Sequence, residues 1–207
     1  MLLPQQSSNL NSLSYLKNTT ESYIERFFLM LITYYHTMSS NQSNNLNSKP
    51  TYKDMNIGDK APDFGLLDTN QEVHSLSDNK EGMTILAFFP AAGSPVCTVE
   101  MCNFRDTLDS LKKENIHILG ISVDSPFANK VFAEHHDLNF PILSDYNREV
   151  IEQYNVVMPS LGKLKDFKVA KRSIFVVDNS NQKIVYKWVT DNPLIEPNYE
   201  EIRTKIS

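Results

Sequence analysis

Short apolar runs bounded by turn residues recur along the chain from residue 83 onward. Three of them, Met83–Phe89, Ile116–Val123 and Ser173–Val177, have the length and composition of buried strands. Between the first two runs, apolar residues recur at helical spacing and predict a helix with one core-facing side. These residues are Met101, Phe104, Leu108 and Leu111. Buried strands that alternate with amphipathic helices indicate an α/β layered domain.

Shorter segments extend this pattern. Alternation and turn residues predict further strands at Val73–Leu76, Phe140–Asp145 and Ile184–Val189. Helical spacing and start signals predict helices at Ser125–His136, Asn147–Tyr154 and Asn198–Ile206. The stretch from Val157 to Lys171 is irregular and rich in lysine, which is typical of a solvent-exposed loop.

Residues 1–54 differ in composition from the rest of the chain. They are rich in Ser, Asn, Gln and Leu, and Ser39–Ser48 is a polar low-complexity stretch. We therefore expect a disordered N-terminal extension over residues 1–54 and a single domain over residues 55–207, a size that supports one core. The apolar run Ile24–Tyr35 is too short to span a bilayer, which takes about 20 residues. No membrane span is predicted.

Charge and residue usage exclude some classes of partner and site. The net charge of −5 disfavours nonspecific binding to nucleic acid. Two cysteines are too few for an extracellular disulfide framework, so we expect a reducing compartment and a cytoplasmic location. The histidines at 74, 117, 135 and 136 are poorly spaced for metal binding, and no metal site is predicted.

Cys97 stands where a predicted strand gives way to a predicted helix. Pro90 ends the strand, and Pro95 suits the first helical turn because its missing N–H would have no helical partner. The free N–H groups and the dipole of a helix start favour the thiolate, which is the nucleophilic form of cysteine. Ser94 and the backbone N–H groups of the loop are candidates to stabilise developing charge. Glu100, one turn further, either positions this loop or stabilises the helix start.

The other cysteine, Cys102, follows five residues later on the same predicted helix. On a regular helix this spacing separates the two Cα atoms by about 8.5 Å, whereas a disulfide requires roughly 4.4–6.8 Å. A bond between Cys97 and Cys102 therefore requires the first helical turn to unwind, which suits a transient disulfide better than a structural one. The spacing equally allows Cys102 to be a small buried apolar residue.

Two overlapping motifs carry a resemblance to a known family. Pro90-x-x-x-Ser94-x-x-Cys97 resembles the peroxiredoxin signature Pro-x-x-x-Thr/Ser-x-x-Cys, with serine where many relatives have threonine. Cys97-Thr-x-Glu-x-Cys102-x-Phe-Arg-Asp resembles the branch called PrxQ or bacterioferritin comigratory protein. Further matches follow in order at Gly58–Phe64, Gly120–Asp124, Phe140–Asp145 and Lys171–Asp178.

The resemblance implies a thioredoxin-like α/β fold, with a central mixed β-sheet flanked by helices, and a thiol peroxidase activity. It implies that Cys97 is the peroxidatic nucleophile and Cys102 the resolving cysteine. Pro90 is expected to shield the site, while Ser94 and Arg172 bind and polarise the peroxide. Cys97 would become a sulfenic acid, form a disulfide with Cys102 and be reduced by a thioredoxin- or glutaredoxin-like protein. No metal or organic cofactor is implied.

Two other functions stay open at this stage. In a one-cysteine peroxidase, an outside thiol would resolve the sulfenic acid of Cys97 and Cys102 would only be packed. In a redox sensor, Cys97 would relay oxidation to a partner protein. The sequence also leaves open whether the protein is a monomer or a homodimer.

Overall fold

The structure of the protein, a computed structural model, describes residues 52–113 and 115–206, with the side chains of residues 108–113 outside this description. The predicted N-terminal extension over residues 1–54 lies outside the described residues except for its last three positions. That boundary therefore stays a prediction, as do the core positions assigned to Leu108 and Leu111.

A seven-stranded mixed sheet forms the centre of the described chain. Its strands are β1 Gly65–Leu67, β2 Val73–Ser75, β3 Met83–Phe88, β4 Ile116–Ser122, β5 Ile142–Ser144, β8 Ser173–Asp178 and β9 Lys183–Val189. Their order across the sheet is β2-β1-β5-β4-β3-β8-β9. Strands β3, β4 and β5 run parallel to one another, while β8 lies antiparallel to β3, and β9 antiparallel to β8. On the other edge, β1 is antiparallel to both β5 and β2.

In the part of the chain that the structure describes, four helices cover the two faces of the sheet. They are α1 Pro95–Lys113, α2 Pro126–His135, α3 Glu149–Gln153 and α4 Tyr199–Ile206, with a single 3₁₀ turn at Leu76–Asp78. Side chains alternate between the two faces of a strand, so the central strands contribute side chains to two separate apolar clusters. One cluster takes in Met101 of α1, Phe132 of α2 and Ile202 of α4, while the other takes in Val150 of α3. The predicted α/β architecture is therefore confirmed.

The lysine-rich stretch 157–171 is more ordered than predicted. Its two ends pair as short antiparallel strands, β6 Val157–Met158 and β7 Val169–Ala170, in a separate two-stranded sheet. The loop prediction was therefore wrong at both ends and right for the exposed middle. The strands form because Val169 and Ala170 are fully buried, which the neighbouring lysines obscure in the sequence.

Several predicted elements are shorter in the structure. The predicted helix Asn147–Tyr154 spans only Glu149–Gln153, because Arg148 has a left-handed backbone with φ of 67° and cannot extend it.

No helix within residues 52–113 and 115–206 is long and apolar enough to cross a membrane.

Candidate active site

The loop that carries the site leaves the sheet at the carboxyl end of β3, which lies between β4 and β8. Phe89 and Pro90 are buried directly after the strand, and α1 begins at Pro95. Gly93 supplies the turn with φ of 77°, a left-handed conformation that glycine adopts without strain. The carboxylate of Asp124, which follows β4, accepts a hydrogen bond from the N–H of Ala92 at 2.8 Å. The loop is thereby tied to the neighbouring strand end.

Cys97 lies in the first turn of α1, as predicted, and its thiol is free and fully buried. Helix starts leave their first N–H groups without helical partners. Within the described residues, no hydrogen bond is found from the N–H of Val96 or Cys97, whereas that of Thr98 donates to the carbonyl of Ser94 at 2.9 Å. These N–H groups and the helix dipole provide positive potential at the sulfur.

Arg172 brings a full positive charge to the same sulfur. The guanidinium Nη2 lies 3.4 Å from Sγ of Cys97 and donates to the carbonyl of Pro193 at 2.6 Å. The side chain is only 1% exposed, because Arg172 sits between β7 and β8 and points into the molecule rather than to solvent. Arginine side chains usually lie on the protein surface, whereas the side chain of Arg172 does not.

Glu100 is the second ionisable partner of Arg172. Its Oε2 accepts a short hydrogen bond from Nη1 of Arg172, while Oε1 is buried without a hydrogen-bond partner in the described structure. Burial raises the pKa of Glu100 to about 7, against the lowering effect of Arg172 and with some help from the negative charge of Glu196. Two acidic groups, the Cys97 thiol and the Glu100 carboxyl, therefore share one buried cation.

Among the described contacts, neither Ser94 nor Pro90 makes a hydrogen bond to the Cys97 sulfur. Ser94 is half-buried immediately before α1, where its carbonyl accepts from Thr98 as the residue at a helix N-cap does. For its hydroxyl, no hydrogen bond is found in the part of the chain that is described. Pro90 is buried between the end of β3 and the loop. The roles assigned to both residues stay predictions.

Cys102 lies on the same continuous helix as Cys97, half-buried and with a free thiol. The helix runs without a break from Pro95 to Lys113. In this state the two cysteines are therefore not bonded, in agreement with the distance that a regular helix imposes on residues five apart. Whether Cys102 resolves the sulfenic acid stays a prediction.

A cleft of about 250 Å³ borders the active-site loop. Ala92 and Gly93 line it from the loop, Asp124 from the end of β4, and Val131 and His135 from α2. Cys97 is not part of its wall and has no exposed surface. A reactant that enters from this side therefore needs the loop to shift before it reaches the sulfur.

The histidines within the described residues do not gather into one site. His135 and His136 contact each other edge to face with ring centres 4.7 Å apart, and His74 lies 3.3 Å from Asp68. Among the described residues, Asp68, Glu72 and His74 bring potential metal-ligand atoms within 4.8 Å of one another. Asp68 already accepts hydrogen bonds from the backbone N–H groups of the β1–β2 turn, which gives it a structural role.

Sequence reasoning missed three contacts of the site. Glu100 was assigned only to the loop or the helix start, although its spacing of three from Cys97 places both on one helix face. Asp124 was not assigned, although parallel neighbours β3 and β4 end at the same edge of the sheet and bring their following loops together. No local signal in the sequence marks the carbonyl of Pro193.

The arrangement suits one kind of chemistry. A buried thiol beside a fixed cation and free N–H groups is prepared to act as a thiolate nucleophile. The same donors remain in place to stabilise an oxygen anion that leaves after attack.

The chain matches the model of a known protein family and is similar to named bacterial proteins. The family model described as AhpC/TSA family matches residues 57–187. The chain is similar to peroxiredoxin Bcp of Escherichia coli strain K12, with 38% identity over 60% of this chain and 80% of that protein. It is also similar to peroxiredoxin Bcp of Bacillus subtilis strain 168, with 33% identity over 64% of this chain and 83% of that protein.

A solved structure agrees with these matches. The crystal structure of peroxidoxin BcpB from Mycobacterium tuberculosis superposes with a TM-score of 0.60 and 33% identity, covering 68% of this chain and 89% of that one. The thioredoxin-like fold expected from the sequence motifs is thereby confirmed.

Proposed function

The chain belongs to the AhpC/TSA family, and we propose that it is a thiol-dependent peroxidase whose nucleophile is Cys97. The observation that carries this assignment is the 3.4 Å contact between the Arg172 guanidinium and the Cys97 sulfur in a buried site. A buried cation favours the thiolate and can hold a peroxide oxygen. Both features are what a peroxide-reducing thiol requires.

In the first step the Cys97 thiolate attacks the distal oxygen of hydrogen peroxide or of an alkyl hydroperoxide. The O–O bond breaks, and the leaving oxygen takes a proton and departs as water or alcohol. Cys97 becomes a sulfenic acid. Arg172, Ser94 and the N–H groups at the start of α1 stabilise the charge that develops on the oxygens, and Pro90 shields the sulfur.

In the second step the first turn of α1 unwinds and the Cys102 thiolate attacks Cys97. A disulfide forms and the sulfenic oxygen leaves as water. A thioredoxin- or glutaredoxin-like dithiol then reduces the disulfide, so the enzyme works in a reducing compartment and we propose a cytoplasmic location. Both cysteines belong to one chain, so a monomer can complete the cycle, and a homodimer is not required for it.

Intact-mass measurement and peptide mapping test this proposal. Reduced protein receives one equivalent of hydrogen peroxide, and free thiols are alkylated at once. We expect a loss of two hydrogen atoms located to a Cys97–Cys102 bridge. In Cys102→Ser we expect the first oxidation to persist as sulfenic or sulfinic acid on Cys97, and in Cys97→Ser no fast oxidation at all.

The other outcomes separate the remaining functions. A sulfenic acid on Cys97 in the wild-type protein with Cys102 still open to alkylation would overturn the two-cysteine mechanism and favour an external resolving thiol. Rapid oxidation with negligible turnover and a trapped mixed disulfide would favour a relay to a partner protein. Absence of oxidation at stoichiometric peroxide would exclude peroxidase function.

A further inference from the structure

Arg105 lies outside the peroxide site but is held in a defined position on α1. Its Nη1 donates a hydrogen bond of 2.6 Å to the carbonyl of His136, the residue that caps the C-terminus of α2. Its Nε donates to Asp106 at 2.8 Å. A cation at the end of a helix is favoured by the helix dipole and by the carbonyls that have no helical partner there. The guanidinium is thus fixed against a second helix.

The spacing on α1 sets this cation beside the second cysteine. Cys102 and Arg105 are three residues apart, and such residues are neighbours on one face of a helix. The hydrogen bond to Asp106 is the largest cause of the raised pKa of Arg105, and Cys102 acts in the same direction. Each of the two cysteines on α1 therefore has an arginine in its neighbourhood: Arg172 contacts the Cys97 sulfur, and Arg105 follows Cys102 by three residues on the helix.

We propose that Arg105 is a positioning residue for the resolving step, which holds positive charge beside the Cys102 thiolate and fixes this part of α1 to the end of α2. This inference rests on the two-cysteine mechanism proposed above. Unwinding of the first turn then moves Cys97 while Cys102 stays in place. The anchor at His136 explains how one helix can open at its start without releasing the nucleophile that must attack.

The step itself is balanced without another reactant. The thiolate of Cys102 attacks the sulfur of the Cys97 sulfenic acid, the S–S bond forms and the S–O bond breaks. The hydroxide that leaves takes a proton and becomes water. Arg105 transfers no proton, because a guanidinium stays protonated in proteins. It acts only by favouring the ionised form of the attacking sulfur.

A purely structural role for Arg105 predicts a different result. If the arginine only clamps α1 to α2, its removal loosens the helix and leaves the resolving step unchanged or faster. If it holds charge beside Cys102, its removal slows that step. The other titratable groups around the pair are Asp106 on α1 and His136 and Asp137 at the end of α2, and all three are retained in the variants below.

The test compares wild-type protein with Arg105→Gln and Arg105→Lys in a rapid-quench experiment. Peroxide is mixed with reduced protein, thiols are trapped with an alkylating agent at successive times, and sulfenic acid and disulfide are counted by mass. We expect sulfenic acid to form at the wild-type rate within about twofold in both variants. Disulfide formation in Arg105→Gln should slow by about tenfold, the effect of losing one neighbouring cation on a thiolate. Arg105→Lys should recover most of the rate.

A second measurement follows Cys102 alone and keeps the inference testable if Arg105→Gln does not fold. In Cys97→Ser and in Cys97→Ser combined with Arg105→Lys or Arg105→Gln, the rate of alkylation of Cys102 is measured against pH. The midpoint should lie at higher pH when the cation is removed and near the original value with lysine. Lys130→Gln, which removes an exposed cation from α2, serves as the matched control and should change neither rate nor midpoint.

The outcomes distinguish this inference from the function on which it rests. If wild-type protein forms no Cys97–Cys102 disulfide, the two-cysteine mechanism fails and the inference fails with it. If the wild type forms the disulfide but Arg105→Gln resolves at an equal or higher rate with an unchanged pH midpoint, only the role of Arg105 is overturned. Slower disulfide formation together with an unshifted midpoint would also contradict it.

Discussion

At the scale of single residues, the site depends on one buried arginine that serves two acids. Arg172 contacts both Cys97 and Glu100, and its remaining hydrogen bond goes to the carbonyl of Pro193. A buried cation is costly unless its partners satisfy it, and removal of one partner is more damaging than replacement of the whole set. The cost is accepted here because a fixed cation at the sulfur is what the chemistry needs.

Glu100 makes the stability of the protein depend on pH. Its pKa is raised from 4.5 in the reference state to about 7 in the folded state. The folded protein therefore binds a proton that the unfolded chain has released, and this contribution is complete below about pH 4.5 and is lost as the pH rises through 7. With about 1.4 kcal/mol per pKa unit, ionisation of Glu100 costs the folded state ~3 kcal/mol.

We expect Glu100→Gln to remove this dependence, because glutamine keeps the shape and a hydrogen-bond acceptor for Arg172 but cannot ionise. The free energy of unfolding, measured by urea denaturation from pH 4.5 to 8, should favour the variant over the wild type by an amount that grows by ~3 kcal/mol across this range. Glu200→Gln, at an exposed position on α4, is the control and should show no such trend. A pH-independent difference for Glu100→Gln would mean that Glu100 is ionised throughout.

At the scale of elements, α1 has two tasks that conflict. As a continuous helix from Pro95 to Lys113 it packs Met101 and Phe104 into the core and holds Cys97 against Arg172. The proposed disulfide requires the same helix to lose its first turn, since residues five apart are too distant in a regular helix. Arg105 marks the point at which α1 is anchored to α2, so we expect the unwinding to stop before it.

Hydrogen exchange measured by mass spectrometry tests this expectation. On oxidation with one equivalent of peroxide, amides of residues 96–102 should exchange faster, because their helical hydrogen bonds open. Amides of β4 and of α2 should keep their protection and serve as internal controls, since neither element contains a cysteine. Unchanged protection over residues 96–102 in protein that carries the disulfide would contradict the unwinding.

At the scale of the whole molecule, the residues assigned to the site all lie within the described part of the chain. The sheet, both apolar clusters and every residue placed near Cys97 lie between residues 52 and 206, and the family match covers 57–187. The last helix, α4, extends beyond the match and covers one face of the sheet with Ile202 and Ile206. We therefore propose that the catalytic domain corresponds to the predicted domain 55–207, extended at its start to residue 52, where the described residues begin.

Removal of residues 1–51 tests this boundary. The shortened protein should unfold cooperatively and reduce peroxide with a kcat/KM within about twofold of the full chain, because a domain of about 150 residues can support its own core. Thermal denaturation and a coupled peroxidase assay measure the two properties. Loss of cooperative unfolding, with the full chain as the reference, would show that the boundary is misplaced.

The sequence by itself determined the types of most elements and singled out Cys97 as the candidate nucleophile. Apolar runs and helical spacing are local properties, so β3, β4, α1, α2 and the β8–β9 pair were predicted close to their observed bounds. Cys97 at a helix start is also a local feature, since strand, proline, loop and helix follow one another within fifteen residues. The errors of the prediction also had local causes. The lysine-rich context concealed the strands β6 and β7, and the left-handed backbone at Arg148 makes α3 shorter than predicted.

Apart from Arg172, which the family resemblance had indicated, only the tertiary structure decided which distant groups meet at the sulfur. Arg172 follows Cys97 by 75 residues, and no periodicity links an arginine before a strand to a thiol on a helix. Its contact, its burial and the raised pKa of Glu100 arise because β8 lies beside β3 in the sheet and brings its first residues to the end of the active-site loop. The carbonyl of His136 meets Arg105 for the same reason, because α1 and α2 pack on one face of that sheet. Local patterns fix which residue types are present, whereas burial and charge pairing depend on neighbours that only the folded chain supplies.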